Sequence, residues 1–227
     1  ANRDEALDRP SEPPRLLERS GRRLVAPLDK RAGGTWLGIN EHGVFAGITN
    51  RYGGTHDPGK RSRREIVFEA LRAKTASQAA NAVAKLEGDD YNGFHLVCAD
   101  AESIRIVWGG PDPVVSAPSD ANVVVLTERS LGAARDMRKR KTKQRIQRAR
   151  KNGEFGAEWL KTVLSQSDGG RFEELCICLE GVNYGTRSST ILEIGEKRRG
   201  WHAEGPPCDA PYEDISEILR ELRRPEA

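Results

Sequence analysis

A chain of 227 residues, 37% hydrophobic and 31% charged with a net charge of +3, has the balance of a globular protein in water and is long enough to bury one sizeable core. It contains no run of about 18 apolar residues, which excludes a helical membrane span, and no readable secretory leader. The four cysteines (Cys98, Cys176, Cys178, Cys208) and four histidines (His42, His56, His95, His202) lack zinc or HExxH spacing, so no metal site is expected and the thiols read as buried strand residues of a reducing compartment. A cytoplasmic location is the corresponding expectation.

In chain order, residues 1–20 are polar and Pro-rich (Pro10, Pro13, Pro14) and predict a loop with turns. A first strand is expected over 24–27. The runs 35–39 and 44–49, joined by Asn40-Glu41-His42-Gly43, predict a hairpin. Residues 51–61 read as a loop. Ser62 is placed to cap a helix running to Lys74 with Ile66, Val67, Ala70 and Leu71 as its apolar stripe. A second helix starts near Ser77 and carries Ala80, Val83, Ala84 and Leu86. After a turn at 89–93, the runs 94–99 and 103–108 predict a second hairpin turning at Asp100-Ala101-Glu102. The apolar run 123–126 predicts a buried strand, 132–166 helix, and 172–180 and 188–194 strands. Residues 201–211 read as loop, and 212–224 as a closing amphipathic helix with Ile215, Ile218, Leu219 and Leu222. Strands, helices, strands, helices in one stretch of 1–227 without a clear linker imply a single α+β domain, helices covering a mostly antiparallel sheet or pair of sheets.

Between Arg135 and Lys151 stand ten Lys/Arg and a single Asp, so the rest of the chain is acidic on balance. Such a run attracts phosphate, nucleic acid or anionic lipid. It has no interleaved aromatics for stacking bases, which argues against nucleic acid, and its sparse apolar positions (Ala134, Met137, Ile146) form no membrane-burying face. A solvated helix is the plainest reading.

Three polar constellations fall at the ends of expected strands: Asn2-Arg3-Asp4-Glu5, Thr49-Asn50-Arg51, and Asn183-Tyr184-Gly185-Thr186-Arg187-Ser188-Ser189. Each by itself is explained by solvated turns and salt bridges. Taken in order with Asp8-Arg9-Pro10, Gly34-Thr35-Trp36-Leu37-Gly38 and Tyr91-Asn92-Gly93-Phe94, they resemble the NRDE family of the Transport and Golgi organisation type, from residue 1 to about 194. That family is similar to the cysteine branch of the N-terminal-nucleophile (Ntn) hydrolases, which includes choloylglycine (bile-salt) hydrolases and penicillin acylases. The resemblance implies an αββα sandwich of mostly antiparallel sheets covered by helices.

It also implies a chemistry. In that branch an N-terminal Cys attacks an amide carbonyl, its own α-amine serving as general base, while backbone and Asn N–H groups hold the oxyanion. Carried across by resemblance, Asp4 orients the amine, Asn50 is an oxyanion-hole amide with Thr49 the alternative at a register one residue off, and Arg187 lowers the thiol pKa. Asn2, Arg3, Thr49, Arg51 and Tyr184 are the expected ligand-binding residues. Two departures stand out. No Cys precedes Cys98, whereas NRDE proteins begin Met-Cys on a first strand ahead of this signature; an omitted preceding segment is therefore expected to carry the nucleophile. After 123–126, where the branch has an Asn, this chain has Thr127-Glu128-Arg129.

The expected function is thus a cysteine-dependent amide C–N hydrolase or acyltransferase acting on a small molecule, without a cofactor. The alternative is a non-catalytic carrier for haem or an anionic acyl-coenzyme A or lipid-like ligand, as links of the family to haem trafficking imply. Arg187 and Arg51 would then meet the anionic end, and His42, His56 or His95 the haem iron. Exposed β edges are compatible with a homodimer.

Overall fold

The computed structural model describes residues 1–53, 56–110, 114–119, 123–130, 136–167, 174–179 and 181–223. Eleven strands and five helices are found among them. A seven-stranded antiparallel sheet contains, in spatial order, β2 (Ser11–Arg19), β3 (Arg22–Asp29), β4 (Leu37–Asn40), β5 (Phe45–Asn50), β6 (Phe94–Ala99), β7 (Ile104–Gly109) and β8 (Val115–Pro118). Strand order follows chain order throughout, although the β5–β6 connection is long and carries two helices. A second, four-stranded sheet runs β1 (Asn2–Glu5), β9 (Gly185–Glu193), β10 (Arg199–Ala203), β11 (Glu213–Asp214). Here the first strand meets a late one, because β1 pairs antiparallel with β9.

Alternation along β3 shows how the layers are built. Leu24 and Ala26 join the core beneath α1 (Arg64–Leu71) and α2 (Ala76–Val83), with Ile66, Val67, Ala70, Leu71 and Phe94. Val25, between them, joins a separate cluster with Ile39 and with Leu219 and Leu222 of α5 (Ser216–Leu222), which packs against β10, β3 and β2. Successive strand residues face opposite sides, so one strand serves two cores. α3 (Met137–Lys151) and α4 (Ala157–Leu164) lie against the four-stranded sheet: Arg138 of α3 donates to Asp4 of β1 at 2.8 Å, Asn2 of β1 donates to the Leu164 carbonyl of α4 at 2.9 Å, and Lys161 of α4 sits 4.7 Å from the Trp201 ring centre. The αββα arrangement expected from the resemblance is present.

Both predicted hairpins form. The β6–β7 turn is fixed by the Asp100 carboxylate, which accepts from the backbone N–H of Glu102 (3.0 Å) and Ser103 (2.8 Å). α2 begins one residue before the predicted Ser77, capped by Thr75, whose hydroxyl accepts from Gln78 N–H at 3.2 Å. α1 has Arg63 rather than Ser62 at its cap position and no side-chain cap bond; Ser62 Oγ accepts only from Arg64 N–H, at 3.4 Å.

Several expectations are corrected. Residues 1–20 are not loop: they supply β1 and β2. Pro13-Pro14 is tolerated because β2 is an edge strand and the pair occupies the irregularity between Glu12 and Arg15, where no ladder N–H is required. The run 123–126 forms no strand: Val123–Leu126 has no ladder partner among the described residues. Residues 174–179 make only a single bridge, Cys178 to Gly185. The Thr186 hydroxyl takes the place of a ladder acceptor for Ile177 N–H at 2.8 Å, and the segment leaves the sheet after that. Residues 201–211 contain most of β10, and the last helix is shorter than 212–224 because β11 precedes it. The parts of these predictions on 54–55, 132–135, 172–173, 180 and 224, and the first residue of the basic run, Arg135, lie outside the described residues.

Candidate active site

β1 carries two different sites on its two faces. Arg3 and Glu5 face the seven-stranded sheet and enter a buried ionic cluster around Asp29 at the end of β3, which is fully excluded from solvent. Asp29 Oδ2 meets Arg9 Nε at 2.7 Å, Arg64 Nε at 3.0 Å and Arg3 at 3.5 Å. Its Oδ1 accepts the backbone N–H groups of Arg31 (3.0 Å) and Ala32 (2.9 Å). Glu5 pairs with Arg64 at 2.9 Å, and the Arg3 guanidinium lies 4.1 Å from the Trp36 ring centre. Burial brings the Arg3 pKa down to about 10, with Glu5 and Asp29 opposing the shift. Gly34 allows the approach of α1: a Cβ there would come within 2.5 Å of Arg64 Cβ. Three of the signature segments therefore serve one ionic cluster that ties β1 to β3 and α1.

For Asp29, burial alone would push the carboxyl up, but the Arg9 hydrogen bond, the Ala32 N–H and the charges of Arg64 and Arg9 outweigh it and hold it below its ordinary 3.8. The stabilisation from a depressed carboxylate is complete above the unfolded value and is lost as pH falls through the folded one. In an acid series of thermal melts, we expect Tm to hold until below the ordinary carboxylate range and then drop, with the drop flattened in Asp29→Asn. An equal acid-induced drop in both proteins would remove Asp29 as its cause.

Asn2 and Asp4 face the other way, toward α3 and α4. Asn2 is committed to structure: its amide donates to the carbonyls of Leu164 (2.9 Å) and Leu175 (2.5 Å). Asp4 is held on both oxygens. Thr186 Oγ1 donates to Oδ1 at 2.8 Å, and Arg138 of α3 donates to Oδ2 at 2.8 Å, with both ionic side chains 14% exposed. Arg138 also reaches the Leu175 carbonyl at 3.2 Å. The basic run is thus more than a solvated helix. Arg138 roots it on Asp4, and the sequence gives no sign of that, because one basic residue among ten looks like the others.

Arg187 follows Thr186 at the point where the β1–β9 register slips between Arg3 and Asp4. Its guanidinium pairs with Glu204 at 3.1 Å, and Glu204 also accepts from Ser11 of β2 and meets His202 at 3.1 Å. Burial would raise Glu204, but His202 and Arg187 keep it low. Asp4 and Arg187 lie one strand apart yet hold different partners.

Thr49 and Asn50 end β5 opposite His95 and Phe94, and the Asn50 side chain is exposed. Arg51 N–H donates to the Gly93 carbonyl at 2.9 Å. Next, Tyr52 N–H donates to the Glu128 carbonyl at 2.7 Å, and Arg129 stacks on the Tyr52 ring at 4.0 Å. The segment in which this chain departs from the family is therefore anchored directly beyond Asn50. It is joined to α3 as well: the Thr127 hydroxyl donates to Asp136, the helix cap, at 2.6 Å. Tyr184 belongs to the same neighbourhood. Its phenol is pushed up to about 12, chiefly by burial and then by the negative charges of Asp4, Glu128 and Glu5, against Arg138. Asp4, Arg138, Thr186, Tyr184 and the 127–129 segment thus form one polar region. Arg3 and Asn2 are spent on holding its frame.

Of the histidines named for haem, His95 is wholly buried in β6, His42 stands beside Glu41 in the β4–β5 turn, and His56 is exposed in the loop before α1. A cavity of about 230 Å³ between α1 and the β2–β3 turn is lined by Arg19, Arg22, Arg61 and Arg72 but by none of the expected site residues.

This geometry can be set beside known proteins. A family profile described as Transport and Golgi organisation 2 matches residues 1–205. The chain belongs to this family. Its homologue from Mus musculus is 34% identical over 130 residues, 52% of this chain and 46% of the relative, and that from Homo sapiens 35% over 130 residues with the same shares. The chain thus spans about half the length of these two curated relatives. The homologue from Bos taurus is 26% identical over 229 aligned positions, covering 86% of this chain and 80% of the relative. Among solved structures, penicillin V acylase from Agrobacterium tumefaciens matches with a TM-score of 0.60 at 16% identity, covering 96% of this chain and 82% of the acylase. A mutant conjugated bile acid hydrolase from Clostridium perfringens matches at 0.58 and 10% identity, covering 99% and 90%. At such identities the likeness establishes the fold, which is that of the Ntn hydrolases. The described residues include no helix long and apolar enough to cross a membrane.

Proposed function

We propose that this member of the Transport and Golgi organisation 2 family is a cysteine-dependent amide C–N hydrolase or acyltransferase acting on a small molecule. The observation that carries the reading is Asp4, a largely buried carboxylate fixed on the β1–β9 pair by Thr186 and Arg138 on an Ntn-hydrolase fold. Each carboxylate oxygen has two lone pairs, so both can accept a further N–H, which is what orienting an α-amine requires. Arg187 would favour the thiolate, and the exposed Asn50 amide would receive the developing oxyanion.

The reading requires an N-terminal Cys with a free α-amine, which no residue before Cys98 supplies. The test is the intact mass of full-length protein before and after an aldehyde that forms a thiazolidine only with such a residue. One adduct, together with turnover of a panel of small amides, is expected. A confirmed N-terminus other than Cys sinks the mechanism.

One observation favours a second reading, a carrier for an anionic acyl-coenzyme A, lipid-like or haem ligand. Arg140, Lys141, Lys143 and Arg148 of α3 are exposed and make no ion pair among the described residues, and the same helix is rooted on Asp4 through Arg138. Binding of such ligands that weakens with salt, in protein lacking an N-terminal Cys, would support it.

A further inference from the structure

The sequence places Cys176 and Cys178 two residues apart and Cys208 far beyond them, a spacing with no zinc signature. The fold brings the three together. Cys176 and Cys178 flank Ile177 on the extended segment beside β9, and i, i+2 residues on extended chain share a face. Cys208 is carried in from the turn after β10, where Asp209 and Ala210 N–H both donate to the Pro206 carbonyl. The sulfurs stand 3.8 Å (176–178), 2.9 Å (176–208) and 2.7 Å (178–208) apart.

We propose that Cys176, Cys178 and Cys208 form a three-thiolate site for a soft closed-shell cation, Zn²⁺ or Cu(I). Thiolate is the preferred donor of both. Zn–S bonds of about 2.3 Å in tetrahedral geometry put sulfurs about 3.8 Å apart. The Cys176–Cys178 edge already has that length, and a rotation of Cys208, which is exposed on its turn, supplies the other two. A disulfide would use only two of the three sulfurs, whereas a cation uses all of them. No His, Asp or Glu joins the group among the described residues, so the remaining coordination position belongs to solvent or is absent, as in trigonal Cu(I). Burial pushes all three thiols up, Cys178 to about 11, so uptake of the ion releases protons.

The site has a place in the architecture. Its extended segment is the one whose Leu175 carbonyl accepts from Asn2 and Arg138, and whose Ile177 exchanges hydrogen bonds with Thr186, the partner of Asp4. An ion there staples the wall behind Asp4 to the β10 turn.

The test is titration of reduced, metal-free, full-length protein with Zn²⁺ against a chromophoric chelator, and with Cu(I) in a second arm. Co²⁺ serves as a spectroscopic substitute that reports thiolate ligation. One equivalent of at least one ion is expected. Loss of an outer-shell partner alone weakens metal sites by about 10–100-fold, so Cys178→Ser and Cys208→Ser, both at exposed positions, are expected to lose at least that much with far-UV dichroism unchanged. The proposal is overturned if the folded wild type takes up neither ion, if uptake survives both substitutions, or if peptide mapping of protein purified without oxidant finds Cys178 and Cys208 joined as a disulfide.

Discussion

Asp29→Ala is expected to lower unfolding stability by about 3–5 kcal/mol, the cost of removing one partner from a buried ionic group. The magnitude follows from what would be left. Arg3, Arg9 and Arg64 would face one another with only Glu5 to balance them, and the backbone N–H groups of Arg31 and Ala32 would lose their acceptor. Relief is uneven. Arg9 and Arg64, 17% and 21% exposed, have a path to water, but Arg3, 5% exposed beneath Trp36, has none. Asp29→Asn keeps an acceptor for the two N–H groups and is expected to cost less, about 1–3 kcal/mol. Urea denaturation midpoints at neutral pH measure both. A loss under about 1 kcal/mol for Asp29→Ala is the behaviour of a solvent-screened surface pair and would refute the role assigned to the cluster.

The second large effect is on activity. Asp4→Asn retains shape and one acceptor oxygen but turns an N–H₂ toward either the Arg138 guanidinium or the Thr186 hydroxyl, both of which donate in the wild type. If Asp4 orients the amine that serves as general base, kcat/KM on the best amide substrate falls by on the order of 100-fold or more. The N-terminal thiol still gives its aldehyde adduct, since that chemistry needs only the Cys and a free amine. Retained turnover with a normal adduct would assign Asp4 a purely structural place. Loss of the folded signal in dichroism would show that the Arg138–Asp4 pair is needed for stability.

Both hairpins and the apolar stripes of α1, α2 and α5 were legible, because period-2 and period-3.6 patterns and turn residues act locally. The ordered signature segments led to the family and to an αββα sandwich. Composition and proline content were misleading at 1–20, where an edge strand accepts what a central strand would refuse. An apolar run misled at 123–126, because β propensity is realised only where the fold lays the segment alongside a strand it can pair with.

The amino-acid sequence by itself determined the two hairpins, the apolar helix stripes, the family and the identity of Asp4 as a residue to examine. Only the tertiary structure decided which face of β1 each signature residue occupies: Arg3 and Glu5 toward Asp29, Asn2 and Asp4 toward α3 and α4. The same holds for Arg138 among its basic neighbours and for Cys208 against Cys176 and Cys178. The physical reason is common to all of them. Electrostatic and thiol contacts depend on distance in space, and the pairs that matter here are separated by 134 residues for Arg138 and Asp4 and by 30 for Cys178 and Cys208. Local patterning has no period that encodes such separations; strand pairing and helix docking set them.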